Sequence, residues 1–473
     1  MNGSVRVEHE FPDVIIGEFS RKIQVENQNP VTEIDCTMYK FLFAISILVC
    51  GLNSLSAADH PNVLIIYADD LGFGDLRVNN PKSKIPTPNL NRLAEQGMRF
   101  TDGHSSSGIC TPSRYALLTG RHHWRDFHGI VNAFGGSVFK PQRLTLPEMM
   151  KQRGYDTAAI GKWHLGWDWD AIKKPGAKGK KAGRNTAWGP EAFDWEKTIP
   201  DGPLAHGFDH YFGDTVINFP PYCWIEDDKV VKAPDTLIFD GKSQAGPYGD
   251  FLFETDSAIG RLLTALDESG QAENTVVIFT ADNGPEKYAY ARDAQYDHWS
   301  STPFRGLKRD IYEGGHHVPF IVRWPGLTKA GATCNALVSQ IDIMATLAAS
   351  LEFALPKDAA EDSHDLTPLL MGSTTPIRTT HVHNTKVDHY AIRHGDWLLV
   401  DAKDGYVSGR NKAWEDKWSY PADDDQAVEL YDLSTDPGQR NNLATANAQK
   451  VQQLRTLLKT VREQGYSAPR LAP

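Results

Sequence analysis

The sequence predicts an α/β fold: a large, mostly parallel sheet flanked by helices, followed by a smaller C-terminal α+β subdomain carrying an antiparallel sheet. Three observations predict it. Two apolar runs, Val63 to Tyr67 in "NVLIIYADDLGFGD" and Val276 to Phe279 in "NTVVIFTADNGPE", read as strands buried on both faces, and each ends in acids followed by glycine. Helix-like segments alternate with such strands over residues 60–374. Beyond residue 375 the pattern changes to half-buried strands and one amphipathic helix.

The elements follow in chain order. From Met38 the chain reads "MYKFLFAISILVCGLNSLSAADHPN", with Lys40 as a short positive region, Phe41 to Val49 as an apolar core and Ser56-Ala57-Ala58 as a small-residue cleavage site. This predicts an export signal over 38–58 that starts near Met38, with residues 1–37 a spurious upstream extension and the mature chain periplasmic or extracellular. The apolar run is too short for a permanent membrane span. After the first strand, Thr87-Pro88 opens a helix that Gly97 closes. In "CTPSRYALLTGR", Pro112 suits a first helical position and Gly120 a stop, which puts Cys110 just ahead of the helix. "LTLPEMMKQRGYDTAAIGKWHLG" reads as helix, glycine stop, short strand and loop. "KKPGAKGKKAGR" (173–184) is a basic, mobile loop, with Trp163, Trp167, Trp169 and Trp188 around it able to stack on sugar rings or simply to pack. "VPFIVRWPG" is a further strand, "HYAIRHGDWLLVDA" and "AVELYDLSTDPG" are antiparallel strands, and 448–464 is an amphipathic helix. Residues 60–374 thus form the main domain and 375–473 the C-terminal subdomain.

Composition narrows the function. A net charge of −11 over 473 residues argues against a general nucleic-acid binder. Five cysteines, Cys36, Cys50, Cys110, Cys223 and Cys334, are too few and too scattered for a disulfide framework or a paired-cysteine metal site, although a Cys223–Cys334 bridge is conceivable in an oxidising compartment.

The chemistry-bearing residues stand at predicted strand and helix ends. Asp69, Asp70, Asp282 and Asn283 offer oxygen donors suited to a hard divalent cation; either pair alone reads equally well as a turn. Lys162, His164 and Lys308, with Arg114, would make an anion pocket of point charges and one planar fork. Cys110 sits where helix N–H groups favour negative charge, so a low-pKa thiolate is one reading of it.

"CTPSRYALLTGR" resembles the C-x-P-S-R…TGR signature of the type I sulfatases, in the alkaline phosphatase superfamily. The resemblance continues through "GKWHLG", "HGFDHYFG", "GKSQAGPYGDF", "TADNGPE", "GLKRDIYEGGHHVPFIVRWPG" and "ELYDLSTDPGQRNNLA", in the family's order. It implies an alkaline phosphatase-like fold and an arylsulfatase-like activity on an aryl or carbohydrate sulfate ester. It also implies that a formylglycine-generating enzyme oxidises Cys110 to Cα-formylglycine, whose hydrate attacks sulfur and then expels sulfate. By the same match Asp69, Asp70, Asp282, Asn283 and the modified Cys110 would bind Ca²⁺, ligand identity alone leaving Mg²⁺ open. Arg114 would hold the hydrate, and Lys162, His164 and Lys308 the sulfate.

One departure matters. Family members carry a Pro-His-x-Pro loop after the "GFDHYFG" region, and its histidine is the usual candidate for protonating the leaving group. Here "DTVINFPPYCWIEDDKVVKAPDTLIFDGKS" follows Gly213, with no histidine between His210 and His298. His206, His210, His298 and His316 are possible substitutes. The departure keeps two alternatives open: a phosphonate monoester hydrolase or phosphodiesterase of the same superfamily, and a sulfated-glycan binder without turnover.

Overall fold

The computed structural model describes residues 60–182, 185–215, 223–232, 242–421 and 428–469. The export signal, the upstream extension and much of the histidine-free segment after Gly213 lie outside the described residues.

The central sheet contains β1 (Asn62–Ala68), β2 (Met98–Phe100), β3 (Thr275–Ala281), β4 (Phe320–Arg323) and β5 (Ala332–Cys334), in the order β1-β3-β4-β2-β5. Both faces are covered, which is why β3 reads "TVVIFTA" with no polar alternation. Val276 and Ile278 pack on one side with Leu117, Met149, Met344 and Leu347; Val277 and Phe279 pack on the other with Leu90, Leu93, Ile259 and Leu263. The result is helix, sheet, helix.

Strand direction differs in part from the expectation. β1–β3 and β5–β2 are parallel, whereas β3–β4 and β4–β2 are antiparallel, so the sheet is mixed. A strand buried on both faces carries the same apolar run whichever way it points, and "VPFIVR" therefore held no direction signal.

A smaller sheet joins Ala158–Ile160, His210–Gly213, Trp224–Glu226 and Lys229–Lys232. Trp163, Trp167 and Trp169 are buried in its core with Phe193 and Tyr211, so these three pack and do not face a ligand. The basic stretch is partly built as well: Lys180–Ala182 pairs with Asn185–Ala187, and the Lys173 ammonium sits 4.0 Å from the Trp188 ring centre.

The C-terminal sheet is an antiparallel meander of β6 (Thr380–Lys386), β7 (His389–His394), β8 (Trp397–Asp401) and β9 (Glu429–Asp432). Its period-2 pattern sends Ile392, Leu399 and Leu430 against Leu454, Leu458 and Val461 of the helix Ala448–Glu463, with Trp124 from the main domain in the same core. Ala391, Leu398 and Val400 point the other way, onto Ile311. Cys110, Cys223 and Cys334 are all free thiols, which removes the Cys223–Cys334 bridge. No helix among the described residues is long and apolar enough to cross a membrane.

Candidate active site

β1 and β3 run parallel with Ala68 beside Ala281, so the next residues, Asp69-Asp70 and Asp282-Asn283, emerge side by side. This register turns two separate turn-like dipeptides into one cluster. Asp70 adopts φ 56°, a left-handed backbone that costs about 1–3 kcal/mol for a non-glycine residue. The turn is held by its own ladder: Asp282 N–H donates to Ala68 O (3.0 Å) and Asp70 N–H to Asp282 Oδ1 (3.1 Å).

The helix α1 (Cys110–Thr119) begins two residues earlier than Pro112 suggested, with Ile109 as its extended N-cap. Cys110 is therefore the first helical residue, and Ser113 N–H closes the first turn onto Ile109 O at 3.1 Å. Gly120 ends the helix in the left-handed conformation (φ 61°), as its sequence position suggested. Cys110 is 1% exposed, and burial pushes its thiol above the ordinary range. That opposes the reactive-thiolate reading.

Arg114, one turn along, aims back at the acids. Its Nε and Nη2 donate to Asp282 Oδ2 (3.2 and 3.0 Å), Nη2 also reaches Asp69 Oδ1 (3.3 Å), and Nη1 donates to Lys162 O (2.9 Å). Lys162 Nζ lies 2.6 Å from Asp69 Oδ1, and Lys308 Nζ pairs with Asp70 Oδ1. Burial and the neighbouring Asp69 push Asp282 up to about 7. Burial works the same way on Asp69, but Lys162 and Arg114 outweigh it and hold that carboxyl well below the usual range. For Lys308, burial opposes the charge, while Asp70 and the other negative groups around it raise its pKa beyond the ordinary lysine value.

The donor set fits a divalent cation. Asn283 Nδ2 donates to Asp70 Oδ1 and to Gly284 O, both at 2.8 Å, which leaves its buried Oδ1 with no partner. An orphaned buried carbonyl oxygen among three carboxylates is what a hard cation would satisfy. Ligand atoms of Asp69, Cys110 and Asp282 lie within 4.8 Å of one another.

His164 is tied to the helix through its own carbonyl, which accepts from Thr111 Oγ1 (2.9 Å), and it also has a left-handed backbone (φ 55°). Its Nε2 lies 2.9 Å from Val131 O; a carbonyl only accepts, so Nε2 carries the hydrogen and Nδ1 is a lone-pair acceptor with no partner. Burial lowers its pKa to about 3, so the ring is neutral.

These groups open into a cleft of about 460 Å³ lined by Cys110, Lys162, His164 and Lys308 together with Glu286, Lys287, Tyr288, Arg309, Ile130 and Ser408. All nine residues expected at the site converge here or directly beneath it. The rim residues Glu286 and Arg309 were missed, although each lies within a quoted motif, "TADNGPE" and "GLKRDIYEGG"; Arg309 Nη1 pairs with Glu286 Oε1 at 2.8 Å. Four candidate substitutes for the family's acid do not reach the cleft. His206 packs against Phe139 with its ring tilted by 30°, His210 lies on the smaller sheet with a largely exposed side chain, His298 holds Asp75 at 2.8 Å, and His316 is buried elsewhere.

Comparison with known proteins identifies the family. The Sulfatase family model matches residues 61–225 and 206–352, and the model for the C-terminal region of N-sulphoglucosamine sulphohydrolase matches 306–464. The chain belongs to the sulfatase family, within the alkaline phosphatase superfamily, and is a sulfatase-type enzyme. It is 31% identical to the N-acetylgalactosamine-6-O-sulfatase of Bacteroides thetaiotaomicron, over 85% of this chain and 93% of that one. It is 32% identical to human arylsulfatase A, over 84% of this chain and 86% of the relative. Among solved structures, a Bacteroides thetaiotaomicron sulfatase from work on the metabolism of multiple glycosaminoglycans superposes with TM-score 0.69 at 28% identity, covering 86% of this chain and all of that one. A phosphonate monoester hydrolase from Silicibacter pomeroyi, at TM-score 0.54 and 17% identity, shares the fold.

Proposed function

We propose that this sulfatase releases inorganic sulfate from a carbohydrate sulfate ester, using Cα-formylglycine formed from Cys110 and a bound Ca²⁺. The observation that carries the reading is the arrangement around Cys110: a helix N-terminus facing a cleft with Lys162, Lys308 and Arg309 on its walls and an acidic, cation-ready floor. Several curated relatives act on N-acetylgalactosamine 6-sulfate by name, which makes a 6-sulfated hexosamine the first substrate to try.

Asp69, Asp70, Asp282 and Asn283 would hold the cation, and the oxidised residue 110 would supply a hydrated aldehyde as nucleophile; when both are in place they supply Lewis acidity and a nucleophile that can regenerate its carbonyl. The remaining work falls to the chain's own side chains. Lys162 and Lys308 present fixed positive charge to the sulfate oxygens, where negative charge accumulates as the ester bond breaks. Arg114 is fully engaged by Asp69, Asp282 and the Lys162 carbonyl, so its part is to set the position of residue 110 and of the acids. His164, neutral and with Nδ1 free, can accept a hydrogen bond from a hydroxyl at residue 110 and so orient it; it has no hydrogen on that atom to give a sulfate oxygen.

The test is hydrolysis of N-acetylgalactosamine 6-sulfate, an activated aryl sulfate and an aryl phosphonate monoester, read as sulfate release from the two sulfates and phenol release from the phosphonate, using enzyme matured beside a formylglycine-generating enzyme. Highest kcat/KM on the sugar sulfate, lost with calcium chelation and restored by calcium, is the expected result. A preference for the phosphonate overturns the sulfate assignment, and tight glycan binding without turnover overturns the enzyme assignment.

A further inference from the structure

Behind the catalytic helix lies a second cluster that the reaction does not use. His104, Glu313, His316 and His383 are all buried, and each offers one ligand atom within 4.8 Å of the others. They come from three distant segments: the stretch leading into Cys110, the turn after Lys308, and β6 of the C-terminal sheet.

The hydrogen bonds leave this cluster with facing lone pairs. His104 Nε2 lies 2.7 Å from Asp102 Oδ1, and that carboxylate oxygen, ion-paired with Arg393, only accepts, so Nε2 carries the hydrogen. Arg393 Nη1, 3.4 Å from that same nitrogen, donates instead to Asp102 at 2.6 Å. His316 Nε2 lies 3.2 Å from Ile311 O, again a pure acceptor. The remaining nitrogens, His104 Nδ1 and His316 Nδ1, therefore both lack hydrogen, yet they face each other at 3.2 Å. Two acceptors at that distance repel unless something positive lies between them. The separation is close to the roughly 3.3–3.4 Å between ligands of a tetrahedral ion with bonds of about 2.0–2.1 Å.

Two further members are unsatisfied. His383 has no hydrogen-bond partner at either ring nitrogen although it is fully buried, and Glu313, whose Oε2 accepts from His317 Nδ1 at 2.9 Å, leaves Oε1 without one.

We propose that His104, His316, His383 and Glu313 form a buried structural site for a transition-metal cation, with Zn²⁺ the best match. Three imidazoles and one carboxylate suit a borderline-soft ion and not Ca²⁺ or Mg²⁺. Asp102 behind His104 and the Ile311 carbonyl behind His316 are the outer acceptors that orient metal-bound imidazoles. The ion would tie the C-terminal sheet to the segment that delivers Cys110. Because the site is closed, it would be filled during folding.

The full chain is produced in medium supplemented with zinc, purified in calcium buffer and analysed for metals by mass spectrometry. About one zinc per chain is expected in the parent and in Asp282→Ala, and little in His383→Ala, which keeps its calcium. In case His383→Ala does not fold, the parent is also produced with cobalt in place of zinc, where the visible bands of four-coordinate Co²⁺ are expected. Folded parent with less than roughly a tenth of an equivalent of zinc and no cobalt bands overturns the proposal, and so does full zinc retention in folded His383→Ala.

Discussion

Lys308 shows how a single side chain serves two purposes here. Its ammonium pairs with Asp70 and lines the cleft that holds Cys110, so it balances the acids and, in the proposed mechanism, would face the sulfate. Replacing it removes a buried positive charge from the cleft wall. Lys308→Ala is expected to lower kcat by about 10²–10³-fold while the fold, followed by circular dichroism, is kept. A fall in KM-dependent affinity alone, with kcat intact, would place Lys308 outside the reacting group. Arg114→Lys probes a different property. The guanidinium spreads its bonds over Asp282, Asp69 and a backbone carbonyl, a fork that one ammonium cannot reproduce. Turnover is expected to fall even though the charge is conserved; unchanged turnover would show that charge, not geometry, is what Arg114 supplies.

At the scale of elements, the turns after β1 and β3 depend on close backbone approach. Gly284 follows Asn283, and a Cβ built on it would lie 1.9 Å from Gly314 O, a main-chain atom that cannot swing aside. Gly284→Ala is therefore expected to displace the loop carrying Asp282 and Asn283 and weaken calcium binding, read by isothermal titration. Calcium affinity equal to the parent's would mean that the loop absorbs the clash elsewhere. The C-terminal helix is held differently, through apolar contact. Leu458 is buried against Leu399, Leu430 and Trp124, so Leu458→Ala should cost about 2–5 kcal/mol in denaturant unfolding. A cost under about 0.5 kcal/mol would show that the helix contributes little to the fold.

How much of this was legible in the sequence depended on how local the signal was. The β3 apolar run and the helix Ala448–Glu463 carry their signal within a dozen residues and came through as read, whereas β1 forms the expected strand but, at the end of the sheet order, is only half-buried. The candidate site residues could be picked out because the family motifs carry them and because acids at two strand ends have a common chemical use; that they converge on one cleft is a property of the fold. Strand direction in β4 was not legible, since burial on both faces erases the pattern. Nor was the fate of the tryptophans, because stacking on a sugar and packing on Phe193 look alike in composition. The His104, His316 and His383 cluster stayed hidden for a third reason: only tertiary folding brings the segments together.

For the whole molecule, buried neutral histidines set the response to acid. Burial pushes His122 and His123 down to about 3 each, against about 6.5 in an unfolded chain. Between those values the unfolded chain binds protons that the native one does not. Their contribution to stability is therefore complete above about pH 6.5 and declines as pH falls toward 3. Asp102, held at about 2, adds a second loss below the ordinary carboxylate range. The urea midpoint is expected to fall between about pH 7.5 and pH 5, with the decline starting near pH 6.5. A midpoint unchanged across that interval would mean that these rings are not held neutral in the folded chain.

The central claim is that residue 110 is the nucleophile in oxidised form. The most direct measurement is mass spectrometry of the peptide containing residue 110, from protein produced beside a formylglycine-generating enzyme. The account predicts an aldehyde or its hydrate in place of the thiol. A peptide that keeps its cysteine, while a known sulfatase from the same cells is converted, would contradict it.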